Sequence, residues 1–264
     1  LFLGSGLLGI SHNFYWNAKP VFTMALGSVF STLQVVPLIL LTLEAWRFRK
    51  LPGQLEQGSG GTEHDKFGFS GVFLFLLGVN FWNFFGAGVM GFIINLPIAN
   101  YYEHGTYLTV NHGHAALMGV YGNLSLAAIL FCCRLLLLPG VWNKTLITAS
   151  FWSINVGLLL MVILDLFPAG MMQFSSVVEN GLWFARSTAF IESDSFRNLT
   201  WLRIVGGSLF VTGGVLPLAW FIISSCSMLK DARSVKIYNA GDDGAIDKAP
   251  PADPITEKPQ FEHA

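Results

Sequence analysis

Two histidines, His112 and His114, stand two residues apart inside the apolar run Val110-Asn111-His112-Gly113-His114-Ala115-Ala116-Leu117. Imidazole ligates metals through a ring nitrogen. In a helix, residues two apart point about 200° away from each other. His112 and His114 then face opposite sides. One ion cannot use both, because a shared metal wants i and i+4 on one face. Two flat cofactors, one on each side of the helix, can. Imidazole is the common axial ligand of haem iron, and haem fits between the helices of a bundle. Gly113 carries no side chain to hold a macrocycle away. The alternative is a pair of satisfied polar residues. In a lipid-embedded helix, however, an ionisable group carries a desolvation cost that favours a functional role.

The elements that must position these histidines follow from composition. The chain has 264 residues, 53% of them hydrophobic and only 12% charged. That composition belongs to an all-α membrane protein, a bundle of transmembrane helices. A net charge of −1 supplies no basic field for nucleic acid. Cys132, Cys133 and Cys226 show no disulfide or metal-ligand spacing and read as small apolar residues. A span needs about 20 apolar residues. Residues 1–13 supply the end of one, as if the chain began part-way through a helix. Full spans are expected at 21–46, 69–96, 107–133, 146–174 and 201–229, making 1–230 one membrane domain. The tail 231–264 is polar and Pro-rich and reads as disordered.

The loops predict an orientation. Loop 47–67, loop 134–145 and the start of the tail carry most of the Lys and Arg between spans and alternate onto one side, which places the C-terminus in the cytoplasm. The opposite loops hold Tyr15, Trp16, Tyr101 and Tyr102, suited to an interfacial belt. His12, His112 and His114 then lie at one outward level of the bundle. Gln34 falls mid-span and Asp165 in the outer half of the fourth full span. Asp165 suits a proton path, a haem-propionate neighbourhood or a packing hydrogen bond, with Asn155 as one partner. Arg203 suits a propionate or snorkelling to the interface. Asn80 and Asn83 are expected to bond between helices.

Three blocks of this sequence resemble the catalytic subunit of the haem–copper oxidase superfamily, and within it the nitric oxide reductase branch. They are Gly9-Ile10-Ser11-His12-Asn13-Phe14-Tyr15-Trp16, Ser28-Val29-Phe30-Ser31-Thr32-Leu33-Gln34-Val35-Val36-Pro37, and Tyr101-Tyr102-Glu103-His104-Gly105-Thr106-Tyr107-Leu108-Thr109-Val110-Asn111-His112-Gly113-His114. The resemblance covers roughly residues 1–230, the last half of a twelve-helix subunit. It implies two haems b, with His112 ligating the high-spin haem and His114 the low-spin haem. It implies that His12 binds a non-haem metal, iron in this branch. The remaining ligands would come from the N-terminal half of the same subunit. The membrane would be the bacterial cytoplasmic membrane. His104 matches a loop histidine of the family.

Two positions depart from the family pattern. Asn13 stands where the family has a second adjacent histidine, and Gln34 where it has a glutamate. An amide oxygen is a weaker metal ligand than imidazole, and a glutamine carries no proton. Reducing two NO to N2O consumes two electrons and two protons, which a quinol-dependent reductase must deliver. Dismuting two NO to N2 and O2 consumes neither. The pattern is similar to the proposed nitric oxide dismutases, and catalysis is expected at His12, Asn13, Gln34 and His112. Phe14, Phe84, Phe85 and Val89 are candidates to wall the gas site, although plain bundle packing is the more frequent role of such residues at helical spacing. The competing expectations are an ordinary reductase and a non-catalytic haem-binding NO sensor or store.

Overall fold

The computed structural model describes residues 7–10, 20–48, 69–137 and 141–231. His12, Asn13, Phe14, Tyr15, Trp16, Cys226 (side chain) and the tail expected to be disordered lie outside the residues whose placement is described. Helices α1 (Val21–Leu33) and α2 (Val35–Phe48) meet at Gln34. Four helices are long and apolar enough to cross a membrane: α3 (Ser70–Asn95), α5 (Tyr107–Leu136), α6 (Lys144–Asn180) and α7 (Asp194–Ser225). A short helix, α4 (Pro97–Glu103), joins α3 to α5.

Three sequence expectations need correction. The span 21–46 is not one helix. Pro37 cannot bond back to Leu33 and its ring clashes there, so the chain tightens and Gln34 N–H bonds Ser31 O at 3.1 Å. The stretch 97–106 is not a plain loop, because Leu96 takes the extended backbone that precedes a proline and Pro97 then starts α4. The stretch 175–200 is largely helical as well. Helix α6 runs on to Asn180, where Gly181 at φ +87° ends it, and a turn at Phe184–Arg186 leads to Thr188–Ile191 and α7.

Each long helix contains a widened π turn: Asn83–Met90, His114–Gly122, Val162–Leu166 and Leu209–Val215. Two of these precede a proline (Pro168, Pro217) whose missing N–H breaks the helical ladder. The other two are glycine-rich.

The core is a column of three clusters. Phe75, Leu130, Ile147, Phe151 and Leu218 pack at one end, with Phe75 and Phe151 edge to face at 5.2 Å. Trp82, Ala115, Leu158 and Leu166 fill the middle, and Ala169, Phe190 and Phe196 close the other end. Lipid tails are as apolar as these side chains, so helices in a bilayer are held by close packing and hydrogen bonds. Glycines supply the close packing. A Cβ on Gly206 would lie 2.5 Å from Gly157 O, which is how nearly α6 and α7 touch.

Amides supply the bonds. Trp82 Nε1–H donates to Asn155 Oδ1 at 2.9 Å, Asn123 Nδ2 donates to the same oxygen at 3.1 Å, and Asn155 Nδ2 donates to Asn123 Oδ1 at 3.2 Å. These join α3, α5 and α6. Asn155 is thus committed to Asn123 and Trp82, and is not the partner of Asp165. Replacing Asn155 by Leu strands the Trp82 indole and the Asn123 amide, and is expected to lower stability by about 1 kcal/mol. Equilibrium unfolding in detergent checks this, and an unchanged midpoint would mean that the network is dispensable.

Candidate functional site

Helix α5 is fixed at its N-terminus by two caps. The Thr106 hydroxyl accepts from Leu108 N–H at 3.2 Å. Gln173 Oε1, from α6, accepts from Tyr107 N–H at 2.9 Å, while the Nε2 of the same amide donates to Ala185 O at 2.9 Å. Both histidines lie within two turns of this anchored end.

His112 faces α3. Its Nδ1 lies 2.9 Å from Gly86 O. The carbonyl can accept only from Nδ1–H, and that tautomer leaves the lone pair on Nε2, a position from which imidazole can ligate a metal. The contact depends on glycine. A Cβ on Gly86 would sit 2.7 Å from the Ala115 Cβ, and one on Gly91 would sit 2.9 Å from His112 Cε1. His114 turns elsewhere. Its Nδ1 lies 2.9 Å from Val110 O one turn back in its own helix, which selects the same tautomer. Its surroundings are the exposed apolar strip of Val110, Leu117 and Met118.

Beside His112 lies a cavity of about 210 Å³. Its walls include Gln34 at the α1–α2 junction, Asn83, Gly88, Gly91 and Asn95 of α3, and His112. The structure therefore brings Gln34 and His112 to one cavity. Phe84, Phe85 and Val89 do not line it: Phe84 is exposed and Phe85 packs in the middle core cluster. The π turn at Asn83–Met90 rotates those side chains away and presents the small residues instead. Asn95 went unnoticed in the sequence. Its signal was the ladder Asn83, Ala87, Gly91, Asn95, a polar and small stripe at steps of four. The break at Leu96-Pro97 frees the Asn95 carbonyl, and the Ser28 hydroxyl and the Thr32 hydroxyl (3.0 Å) both donate to it. These bonds dock α1 on α3 and hold Gln34 over the cavity.

Outside the cavity α4 forms a polar roof. Glu103 is buried, and Thr109 Oγ1 donates to its Oε2 at 3.0 Å while accepting from Gly105 N–H at 3.0 Å. Gly105 has φ +73°, and a Cβ there would collide with Arg186 Nη2, which donates to His104 O at 2.6 Å. His104 thus takes part through its backbone in closing the roof.

Asp165 sits fully buried in the π turn of α6, where its Oδ2 accepts from Arg203 Nε at 2.5 Å. The partner is a residue of another helix, Arg203, and not Asn155. Among the described residues no three His, Cys, Asp or Glu side chains gather to hold a metal ion.

Residues 1–209 match the family described as cytochrome c and quinol oxidase polypeptide I. The chain belongs to this family. It is 28% identical over 228 residues to a nitric oxide reductase subunit of Stutzerimonas stutzeri, across 82% of this chain and 44% of that protein. It is 24% identical over 227 residues to a bacteroid cytochrome c oxidase subunit 1 homolog of Bradyrhizobium diazoefficiens, across 78% of this chain and 35% of that protein. The chain thus spans less than half the length of these relatives.

The haem that membership in the family implies fits the histidines on their own geometry. Metal-ligating imidazoles commonly donate their other N–H to a carbonyl, which fixes the ring and raises its basicity. Both rings here have that bond. A Cβ added to Gly113, between them, would meet nothing within 4 Å.

Burial pushes the Glu103 carboxyl from its ordinary 4.5 up to about 7, partly offset by the Thr109 bond. The folded protein therefore prefers the protonated acid. Its contribution to stability is complete below about 4.5 and is lost as pH rises through about 7. Thermal midpoints in detergent are expected to fall across this window, and Glu103→Gln should flatten that part of the profile.

Proposed function

We propose that this chain is the haem-bearing part of a nitric oxide dismutase, converting two NO to N2 and O2. The observation that carries the reading is the cavity at His112. Where the resembled family has a glutamate, Gln34 presents a carboxamide, and no carboxylate lines the cavity among the described residues. The polar groups there are amides, the Ser31 and Tyr121 hydroxyls and the His112 imidazole. Such a wall orients a small neutral molecule by hydrogen bonds and presents no carboxylic acid to it. A reaction with no net proton demand suits it.

Haem bound at His112 would supply the iron that takes NO, and a non-haem metal at His12 would face it. His114 would hold the low-spin haem, with the remaining ligands from a further segment of the same subunit in the bacterial cytoplasmic membrane. The chain's own contribution is positioning. The Gly86 carbonyl holds the His112 ring in the ligating tautomer, and the Asn95 anchor holds Gln34 above it. Asn13 would leave the metal at His12 more weakly held than a histidine would.

The likeness to a nitric oxide reductase subunit supports a second reading, in which an electron donor such as quinol drives two NO to N2O and water. One experiment separates the two. Membranes holding the full-length protein receive isotopically labelled NO without a donor, and the gas is analysed by mass spectrometry. Labelled N2 and O2 appearing together are expected. N2O appearing only after a donor is added would establish the reductase instead. Gln34→Glu, which restores an acid, is expected to cut O2 yield at least tenfold.

A further inference from the structure

Asp165 and Arg203 form a charged pair that the cavity chemistry does not use. Asp165 is completely buried, whereas the Arg203 side chain is 38% exposed. Arg203 satisfies Oδ2 of the carboxylate, but Asp165 Oδ1 is buried without a partner, and so is Arg203 Nη2. A pair that served only to tie α6 to α7 would be expected to satisfy both oxygens, since a stranded buried acceptor costs about 1–3 kcal/mol. A buried polar atom left in this state points to a redox or catalytic role, or to a bound water.

The surroundings point to the first. The π turn that holds Asp165 packs against the first turns of α5, where Tyr107 and His114, seven residues apart, fall on one face of the helix. The Arg203 guanidinium lies over the Tyr107 ring, 5.4 Å from its centre, at the very start of α5. The pair thus lies along the face of α5 that carries His114, with its negative end buried and poorly screened and its positive end toward the exposed edge.

We propose that Asp165 sets the reduction potential of the redox group carried by His114, with Arg203 as its counter-charge. This inference rests on the reading of His114 as a haem ligand. A fixed negative charge in a poorly screened interior stabilises the oxidised, more positive state of nearby iron and lowers its potential. Arg203 limits the effect and makes burial of the carboxylate tolerable. A lower potential at His114 makes that group the better electron donor toward the His112 side.

The test is a redox titration of the full-length holoprotein in detergent, followed through the low-spin haem spectrum. Asp165→Asn is expected to raise the low-spin midpoint and to move the high-spin midpoint less, while Asp165→Glu keeps the low-spin midpoint near that of the unaltered protein. An unshifted low-spin midpoint in Asp165→Asn, with an intact spectrum, overturns the proposal. Should Asp165→Asn not assemble, the double variant Asp165→Asn/Arg203→Gln leaves no unbalanced buried charge. It too should titrate higher, because the carboxylate is the buried, less screened end of the pair, and no rise there overturns the proposal. His114→Ala separates the underlying reading, since a low-spin haem spectrum that survives this change removes His114 as the ligand.

Discussion

The near-contact of two helix backbones at Gly86 and Ala115 governs what His112 can do. Only with no side chain at Gly86 can α3 and α5 approach closely enough for the Gly86 carbonyl to reach the imidazole. That bond fixes the tautomer and the ring orientation together. In a bilayer no hydrophobic force between helices would restore the register if it slipped. The Asn123–Asn155–Trp82 bonds pin the same helices further along, so the site and the core share one constraint. Gly119 repeats the device between them, since a Cβ there would collide with the Trp82 indole.

The remaining elements act on the cavity through helix ends. Ends carry backbone groups that the helix cannot satisfy, and each is met here by a side chain from a neighbour. Ser28 and Thr32 meet the Asn95 carbonyl, and Gln173 meets the Tyr107 N–H. The same prolines that end or bend helices therefore decide which helices dock. Pro97 exposes the carbonyl that holds α1, and Pro37 makes the break at which Gln34 sits.

The helices were readable because lipid demands long apolar runs, and the starts and ends of α3 and α5 follow hydropathy closely. The opposed directions of His112 and His114 followed from helical spacing alone. Three things did not show. The amphipathic segment after Asn180 looked like loop because its helices are short and polar on one side. The walls of the cavity depend on the π turn of α3, which shifts the side-chain register beyond any period of 3.6 residues. The burial of Glu103 depends on α4 folding over it, and a charged residue near a predicted loop gives no sign of that. Asp165 was legible as a buried acid, but its partner lies 38 positions away on another helix.

The two faces of α5 are electrically unlike. On the His112 side the polar groups that share the cavity with the imidazole are amides and hydroxyls: Gln34, Asn83, Asn95, Ser31 and Tyr121. On the His114 side a carboxylate–guanidinium pair lies against the helix, its Asp165 end buried and its Arg203 end partly exposed over Tyr107. A small neutral molecule gains little from a charged wall, whereas a buried charge would draw in water and ions that compete for the space. An electron-transfer group has the opposite need, because charge placed nearby is what selects its oxidised or reduced state. The first turns of one helix thus separate a cavity without carboxylates from a carboxylate–guanidinium pair. The separation requires that the two histidines be two residues apart in sequence. A spacing of three or four would bring both to one face, and the amides and the ion pair would then act on the same ligand.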